Sequence, residues 1–263
     1  MPKIYIDAGH GGDSIGATYK GRKEQDDTLR LALAVGKLVA AQGIEVKYSR
    51  MTDVNPDLTG RCREANAWGA DYFISVHRNA FQPEKATGAE VWVYSKVQTG
   101  GETYNAANGI LEKLVKATGY ADRGVKRGYP GNANADYAVN RVTTMGSCLL
   151  EVGFIDNTKD NGIFDSKFDA MAQAIAEGLT AAVGVTYKQT DAAPEKTDAG
   201  TIYRVQIGAF ANKANAEALA KQARAKGFEA AVVQYVKGDV DGDGTVTVKD
   251  AQETLQIAVG LKK

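Results

Sequence analysis

Histidine is scarce in this chain, with two copies among 263 residues. A zinc finger, a histidine-rich metal tract or a Ser-His-Asp enzyme would have to draw on His10 and His77 alone. Cysteine is equally scarce. Cys62 and Cys148 form neither a disulfide framework nor a CxxC site, so we expect two free thiols packed as small apolar groups.

Net charge and long apolar segments are also missing. The 32 basic and 32 acidic residues balance, which argues against a nucleic-acid partner bound through broad electrostatics. Neither terminus is apolar over a length that spans a membrane, so no membrane partner is expected. The start, MPKIYIDAGHGG, has no basic n-region and predicts no signal peptide. We therefore expect a protein made in the cytoplasm and kept there until it is released.

What the chain does contain, over residues 1–187, is an alternation of strand-like and helix-like segments. Residues 3–9, KIYIDAG, are a β-rich run closed by glycine, and residues 24–43 follow as an amphipathic helix with acidic residues in its first turn. The apolar run 148–155 is typical of a buried central strand. This pattern predicts an α/β domain with a twisted, mostly parallel or mixed sheet flanked by helices. The other predicted strands are 45–50, 71–77 and 89–95, and the other predicted helices are 61–69, 101–118 and 166–183.

The composition divides the rest of the chain into three further pieces. Residues 188–200 contain no large apolar side chain and are typical of a flexible linker. Residues 201–236 follow a strand, helix, strand pattern, and the composition changes again over residues 237–263. We expect a small C-terminal α+β region after the large domain.

Three polar residues fall where predicted strands end, at the edge where open α/β sheets bind ligands. His10 follows the first strand among glycines, His77 ends the strand 71–77, and Glu151 ends the segment SCLL. Neutral imidazole is a good zinc ligand. Because both histidines lie at this edge, we favour metal binding over a purely structural hydrogen-bonding role.

A catalytic zinc needs a third protein ligand and one open position. Glu24, at the start of the first helix, is the best carboxylate for that role. The alternative is that Glu24 is an acidic residue stabilised by the helix macrodipole. Asp26 and Asp27 fit that helix role equally well.

Four motifs in order resemble one protein family. DAGHGGDSIGA, the following Glu24, SVHRNA and LLEVGFIDN are similar to the zinc-dependent N-acetylmuramoyl-L-alanine amidases of the amidase-3 type, over residues 1–185. The resemblance implies that His10, Glu24 and His77 bind zinc and that Glu151 is the catalytic acid/base. It implies hydrolysis of the amide bond between N-acetylmuramic acid and L-alanine in peptidoglycan. The enzyme would then act as a cell-wall lysin, either a phage endolysin or a mother-cell-type autolysin.

Three neighbouring positions have less defined roles. Arg78 stands where the family often has a small residue, and either pairs with a substrate carboxylate or faces solvent without a role. Asn79 is expected to orient His77 or the substrate, as the family's SxHxN pattern implies. Glu90 is the chief rival of Glu151 as general base, but it starts a predicted strand and is therefore expected away from the carboxyl edge.

Residues 201–236 resemble the first half of a SPOR repeat, a module that binds glycan strands stripped of stem peptides. This resemblance implies a wall-binding segment and peptidoglycan as partner. The second half of the repeat is not recognisable, so a degenerate structural appendage is the alternative.

The segment 237–263 contains an EF-hand-like loop. Oxygen ligands stand at loop positions 1, 3, 5, 7, 9 and 12, with Gly244 at position 6 where the turn is sharp. The spacing predicts Ca²⁺ binding, with a solvated acidic turn as the alternative. The loop resembles half of a dockerin, but docking to a cohesin-type partner is not expected because dockerins carry two loops. The ligand candidates are Asp239, Asp241, Asp243, Thr245, Thr247 and Asp250.

Two other functions compete with the amidase hypothesis. One is a zinc peptidase that cuts within the stem peptide, and the other is a non-catalytic peptidoglycan-binding protein whose zinc is structural. The sequence leaves the peptidoglycan chemotype open.

Overall fold

The computed structural model describes residues 1–132 and 135–189, together with Glu217, Ala218, Ala220 and Lys221. The chain divides into two compact units, residues 1–193 and 194–263. Apart from those four residues, the predicted segment 201–236 lies outside the described part of the chain, as do the loop 237–263 and all its calcium candidates. The elements below belong to the first unit.

A six-stranded sheet forms the centre of this unit, with strand order β4-β1-β5-β8-β6-β7. Neighbouring strands are parallel except β6 and β8, which are antiparallel. The sheet is therefore mixed and mostly parallel, which confirms the predicted α/β class. A two-stranded hairpin, β2 with β3, lies outside it. The strands are β1 (Lys3–Ala8), β2 (Thr18–Tyr19), β3 (Arg22–Lys23), β4 (Glu45–Tyr48), β5 (Tyr72–Asn79), β6 (Ala89–Val93), β7 (Asp122–Arg127) and β8 (Gly146–Phe154).

Helices cover both faces of the sheet, because alternate residues of each central strand point to opposite sides. On β1, Ile4 and Ile6 join a large core with α1, α3 and α6, whereas Tyr5 joins a smaller core with α2 and α4. Tyr5 stacks on Phe73 of β5 in this smaller core, with ring centroids 5.5 Å apart. The helices are α1 (Glu24–Ala40), α2 (Leu58–Trp68), α3 (Glu102–Thr118), α4 (Ala138–Val142), α5 (Thr158–Ser166) and α6 (Phe168–Ala182).

The sequence patterns did not predict the hairpin, the strand β7 or the helices α4 and α5. β7 is an edge strand of largely polar sequence, DRGVKR, so it has no apolar alternation to reveal it. Only its parallel pairing with β6 makes it a strand. The predicted final helix 166–183 begins at Phe168, and a separate helix, α5, precedes it with Asn157 as N-cap.

Cys62 and Cys148 are free thiols, both buried. No helix in the described part combines the length and apolar character needed to cross a membrane.

Candidate metal centre and active site

The sheet brings His10, Glu24 and His77 to one point. Their ligand atoms all lie within 4.8 Å of one another. β1 and β5 are parallel neighbours, with Ala8 opposite Val76, so the residues that follow these positions emerge at the same edge. Glu24 reaches the same point as the first residue of α1.

Glu24 lies between the two histidines and uses one carboxylate oxygen for each. Its Oε2 is 3.2 Å from His10 Nε2, and its Oε1 is 2.9 Å from His77 Nδ1. The same oxygens accept hydrogen bonds from the backbone N–H groups of Ala17 and Arg78. Burial alone would raise the pKa of Glu24, but the contacts with both histidines outweigh it and hold the pKa below its usual range. The carboxylate is therefore fixed and ionised.

Glycines allow the loop around His10 to approach the other two residues. A Cβ at Gly9 would overlap the His77 ring, and a Cβ at Gly16 would lie 2.6 Å from Glu24 Oε2. His10 itself has a φ of 62°, in the left-handed region that a non-glycine residue rarely adopts. The glycine-rich motif therefore serves close packing around the three side chains.

The three side chains fit a catalytic zinc ion. Two imidazoles and one carboxylate are a common zinc donor set, and such a site keeps a fourth position open. The Glu24 side chain is 5% exposed, while those of His10 and His77 are 27% and 17% exposed, so the group is reached from solvent on the histidine side. This is the side from which a substrate would approach.

Glu151 lies beside this centre, directly opposite His77 in the pairing of β5 with β8. It is buried, and its Oε2 has no hydrogen-bond partner among the described residues. Burial raises the pKa of Glu151 well above its usual range, and the charges of Glu24 and Glu90 raise it further. An unpaired carboxyl with a raised pKa is suited to exchanging a proton with a bound molecule.

The structure places Glu90 next to Glu151, which corrects the expectation that it lies away from the carboxyl edge. β6 runs antiparallel to β8, so the start of β6 lies at the edge where the parallel strands end, and Glu90 is directly opposite Glu151. The two carboxylates differ in their partners. Glu90 accepts hydrogen bonds from Asn79 Nδ2, Trp92 Nε1 and Arg123 Nε at 3.0, 2.9 and 2.7 Å. The two residues therefore differ in their hydrogen bonds and not in their position, because three donors saturate the carboxylate of Glu90 and none of them reaches Glu151.

Arg78 does not face solvent, which corrects one of the two alternatives expected for it. It is 2% exposed, and its guanidinium donates to Asp27 and to Asn161 Oδ1, with the latter bond at 2.7 Å. The guanidinium also lies over the Phe164 ring. The guanidinium is thus held by buried partners of its own, although its Nε has no partner among the described residues, and Asp27 is paired with both Arg22 and Arg78. Asn79 was expected to orient His77 or the substrate, and its described side-chain contact is instead a hydrogen bond donated to Glu90.

Sequence reasoning missed two arginines that the fold brings to this region. Arg123 on β7 pairs with Glu90, and Arg50, just after β4, contacts the loop that carries His10. Neither stands in a recognisable motif, because their partners are backbone carbonyls or residues far away in sequence.

A mixed-sheet α/β protein in which the ligand atoms of two histidines and one glutamate converge, beside a carboxyl oxygen with no partner among the described residues, has the arrangement of a metal-dependent hydrolase. A sequence model of the N-acetylmuramoyl-L-alanine amidase family matches residues 4–181, and this chain belongs to that family. A second model, the SPOR domain, matches residues 199–248. That match extends past residue 236, where the predicted half-repeat ends, and into the predicted calcium loop.

Two of three similar proteins carry the family's name, and the third is named an endolysin. The sporulation-specific N-acetylmuramoyl-L-alanine amidase of Bacillus subtilis (strain 168) is 38% identical, over 89% of this chain and 85% of that protein. An endolysin of Bacillus phage SPP1 is 34% identical, over 74% of this chain and 71% of that protein. The catalytic domain of CwlV, an amidase of Bacillus (Paenibacillus) polymyxa var. colistinus, is similar in structure. It is 31% identical, with a TM-score of 0.63 over 71% of this chain and 100% of that domain.

Proposed function

We propose that this amidase hydrolyses the bond between N-acetylmuramic acid and L-alanine with a zinc ion held by His10, Glu24 and His77. Glu151 is the acid/base in this proposal. One observation carries it: three zinc-type donors converge beside a buried carboxyl oxygen that has no partner among the described residues. The family assignment supplies the substrate, because peptidoglycan is what such amidases act on.

The division of chemistry follows from the site. Zinc, when bound, supplies a Lewis acid that polarises the substrate carbonyl and lowers the pKa of water toward 7. Glu151 accepts the proton of the attacking water and delivers it to the leaving nitrogen of L-alanine. Its raised pKa suits both halves of this transfer, because the group must hold the proton between them. Glu90 is saturated with donors and serves as a fixed anion beside it.

The C-terminal part of the chain fits the same substrate. In this proposal residues 1–187 form the catalytic domain, residues 188–200 the linker and residues 201–236 a segment of the SPOR module that holds glycan strands. Removal of stem peptides creates bare glycan, so the module would bind the product of the catalytic domain. The two relatives above point to two settings, mother-cell lysis in sporulation and phage lysis, both of which bring the enzyme to the cell wall.

Digestion of purified peptidoglycan by the full chain tests the reaction. We expect intact stem peptides with new free L-alanine amino termini and no new reducing sugar ends, as measured by mass spectrometry. Addition of a chelator should stop the release, and added zinc should restore it. Cleavage within the stem would instead show a peptidase, and binding to the wall without any product would show a non-catalytic binder. Either result would overturn the proposal.

The acidic loop at residues 239–250 is proposed as a separate Ca²⁺ site, supported by its ligand spacing alone. Titration of the full chain with Ca²⁺ by calorimetry should show binding of one ion. The double variant Asp239→Asn with Asp241→Asn should remove it, because two charged ligands are lost. Absence of heat in the unmodified chain at millimolar Ca²⁺ would leave the loop as a solvated turn.

A further inference from the structure

Arg50 is a buried cation to which the site described above assigns no role. It is 3% exposed. Its guanidinium donates only to backbone carbonyls and one hydroxyl, as far as the described residues show, and burial lowers its pKa. The acceptors are the carbonyls of Ala8, Thr52, Gly9 and Gln25 at 3.0, 3.2, 2.9 and 2.8 Å, and Thr28 Oγ1 at 3.1 Å.

Two of these acceptors are next to residues of the metal centre. Gly9 immediately precedes His10, and Gln25 immediately follows Glu24. One nitrogen of Arg50, Nη2, donates to both carbonyls. The guanidinium therefore ties together the loop that carries one ligand candidate and the helix that carries another.

The third ligand candidate is linked through the same glycine. The N–H of Gly9 donates to the carbonyl of Val76 at 3.0 Å, and Val76 immediately precedes His77. Thr28, on α1, adds a 2.7 Å hydrogen bond from its hydroxyl to the Gly9 carbonyl. The N–H and the carbonyl of Gly9 are thus both held by hydrogen bonds. Arg50 connects this carbonyl to the start of the helix that carries Glu24.

This connection restrains a backbone conformation that is unfavourable by itself. The left-handed conformation of His10 persists only when its surroundings impose it. The loop is packed closely enough that a Cβ at Gly11 would lie 3.0 Å from Arg50 Nε. Arg50 therefore restrains the strained turn as well as the position of Glu24.

We propose that Arg50 is a positioning residue that sets the metal affinity of the centre formed by His10, Glu24 and His77. It acts by fixing the carbonyls of Gly9 and Gln25, the residues next to His10 and Glu24, so that the three ligands are already aligned when the metal arrives. A lysine at this position would keep the charge but lose the planar fork, which donates in several directions at once. The inference rests on the proposed function only in that the same three residues bind the metal.

The test compares Arg50→Lys with the unmodified full chain. We expect zinc to bind about 10- to 100-fold more weakly, because the loss of a residue that supports the metal ligands typically lowers metal affinity by this factor. The measurement is the zinc dissociation constant by competition with a chromogenic chelator. The visible absorption of the Co²⁺-loaded protein should also change, because the geometry of the ligands relaxes.

Two further variants separate positioning from folding. Thr28→Val removes one of the two restraints on the Gly9 carbonyl and should weaken zinc binding to a smaller extent. Leu114→Ala, in α3 and fully buried, should lower the free energy of unfolding without altering zinc affinity or the Co²⁺ spectrum. If Arg50→Lys keeps native zinc affinity and an unchanged spectrum, Arg50 only stabilises the fold and the inference is wrong. A chain that binds zinc normally but does not cleave peptidoglycan would contradict the proposed function and leave this inference intact.

Discussion

Replacing Glu151 with glutamine is expected to lower amide hydrolysis by roughly 10²- to 10⁴-fold, the usual contribution of a general acid/base. Glutamine has the same shape but cannot accept and return a proton. The metal should stay bound, because Glu151 is not among the three residues whose ligand atoms converge. Turnover on purified peptidoglycan and zinc stoichiometry, measured on the same preparation, check both halves of this expectation.

Glu90 provides the matched control, since it lies directly opposite Glu151 on the neighbouring strand. Glu90→Gln makes the same chemical change but removes the ion pair with Arg123 instead of a free carboxyl. We expect a loss of stability and a much smaller loss of turnover. If Glu90→Gln were the inactive variant and Glu151→Gln retained near-native turnover, the acid/base would be Glu90.

Replacing Glu24 with glutamine is expected to abolish zinc binding at micromolar metal and activity with it. Loss of an outer partner of a metal ligand costs about 10- to 100-fold in affinity, and loss of the only anionic ligand should cost more. The effect should also appear as a loss of the thermal stabilisation that zinc gives the unmodified chain, because a ligand that binds only the folded state raises its stability.

Asp27→Asn is the control for this second prediction. Asp27 lies one turn along the same helix and pairs with Arg22 and Arg78, so it is an acidic residue of α1 that is not among the three candidate metal ligands. Its loss should lower stability and leave zinc binding unchanged. If Glu24→Gln lowered stability in the same way and still bound zinc, Glu24 would be only an acidic residue at the helix N-terminus.

Sequence periodicity predicted the elements that are buried in the sheet and its flanking helices. The core strands and amphipathic helices were visible because burial on one or both faces requires apolar residues at a fixed spacing. The edge strand β7 and the short helices α4 and α5 were not, because little of their surface is buried and their stability comes from neighbours distant in the chain.

The candidate site shows the same division. His10, Glu24, His77 and Glu151 stand in motifs or at strand ends, and local sequence points to each of them. The partners of Glu90, Arg78 and Asn79 could not be predicted, since they depend on strand direction and on side chains from other elements. Strand direction matters most for Glu90. Because β6 runs antiparallel to β8, the start of β6 lies at the edge of the sheet where β8 ends.

The sequence by itself determined the α/β class. Because both of its histidines are candidate metal ligands, it also favoured a carboxylate as the general base. A residue type is present or absent whatever the fold, so scarcity of histidine is already a constraint on mechanism. Only the tertiary structure decided which carboxylate oxygen is left without a hydrogen-bond partner among the described residues. Hydrogen bonds to Glu90 come from three different parts of the chain, β5, β6 and β7, and these meet only after folding. The same reason applies to Arg50, whose acceptors lie up to 42 residues away and became neighbours only when β1, α1 and the end of β4 packed together.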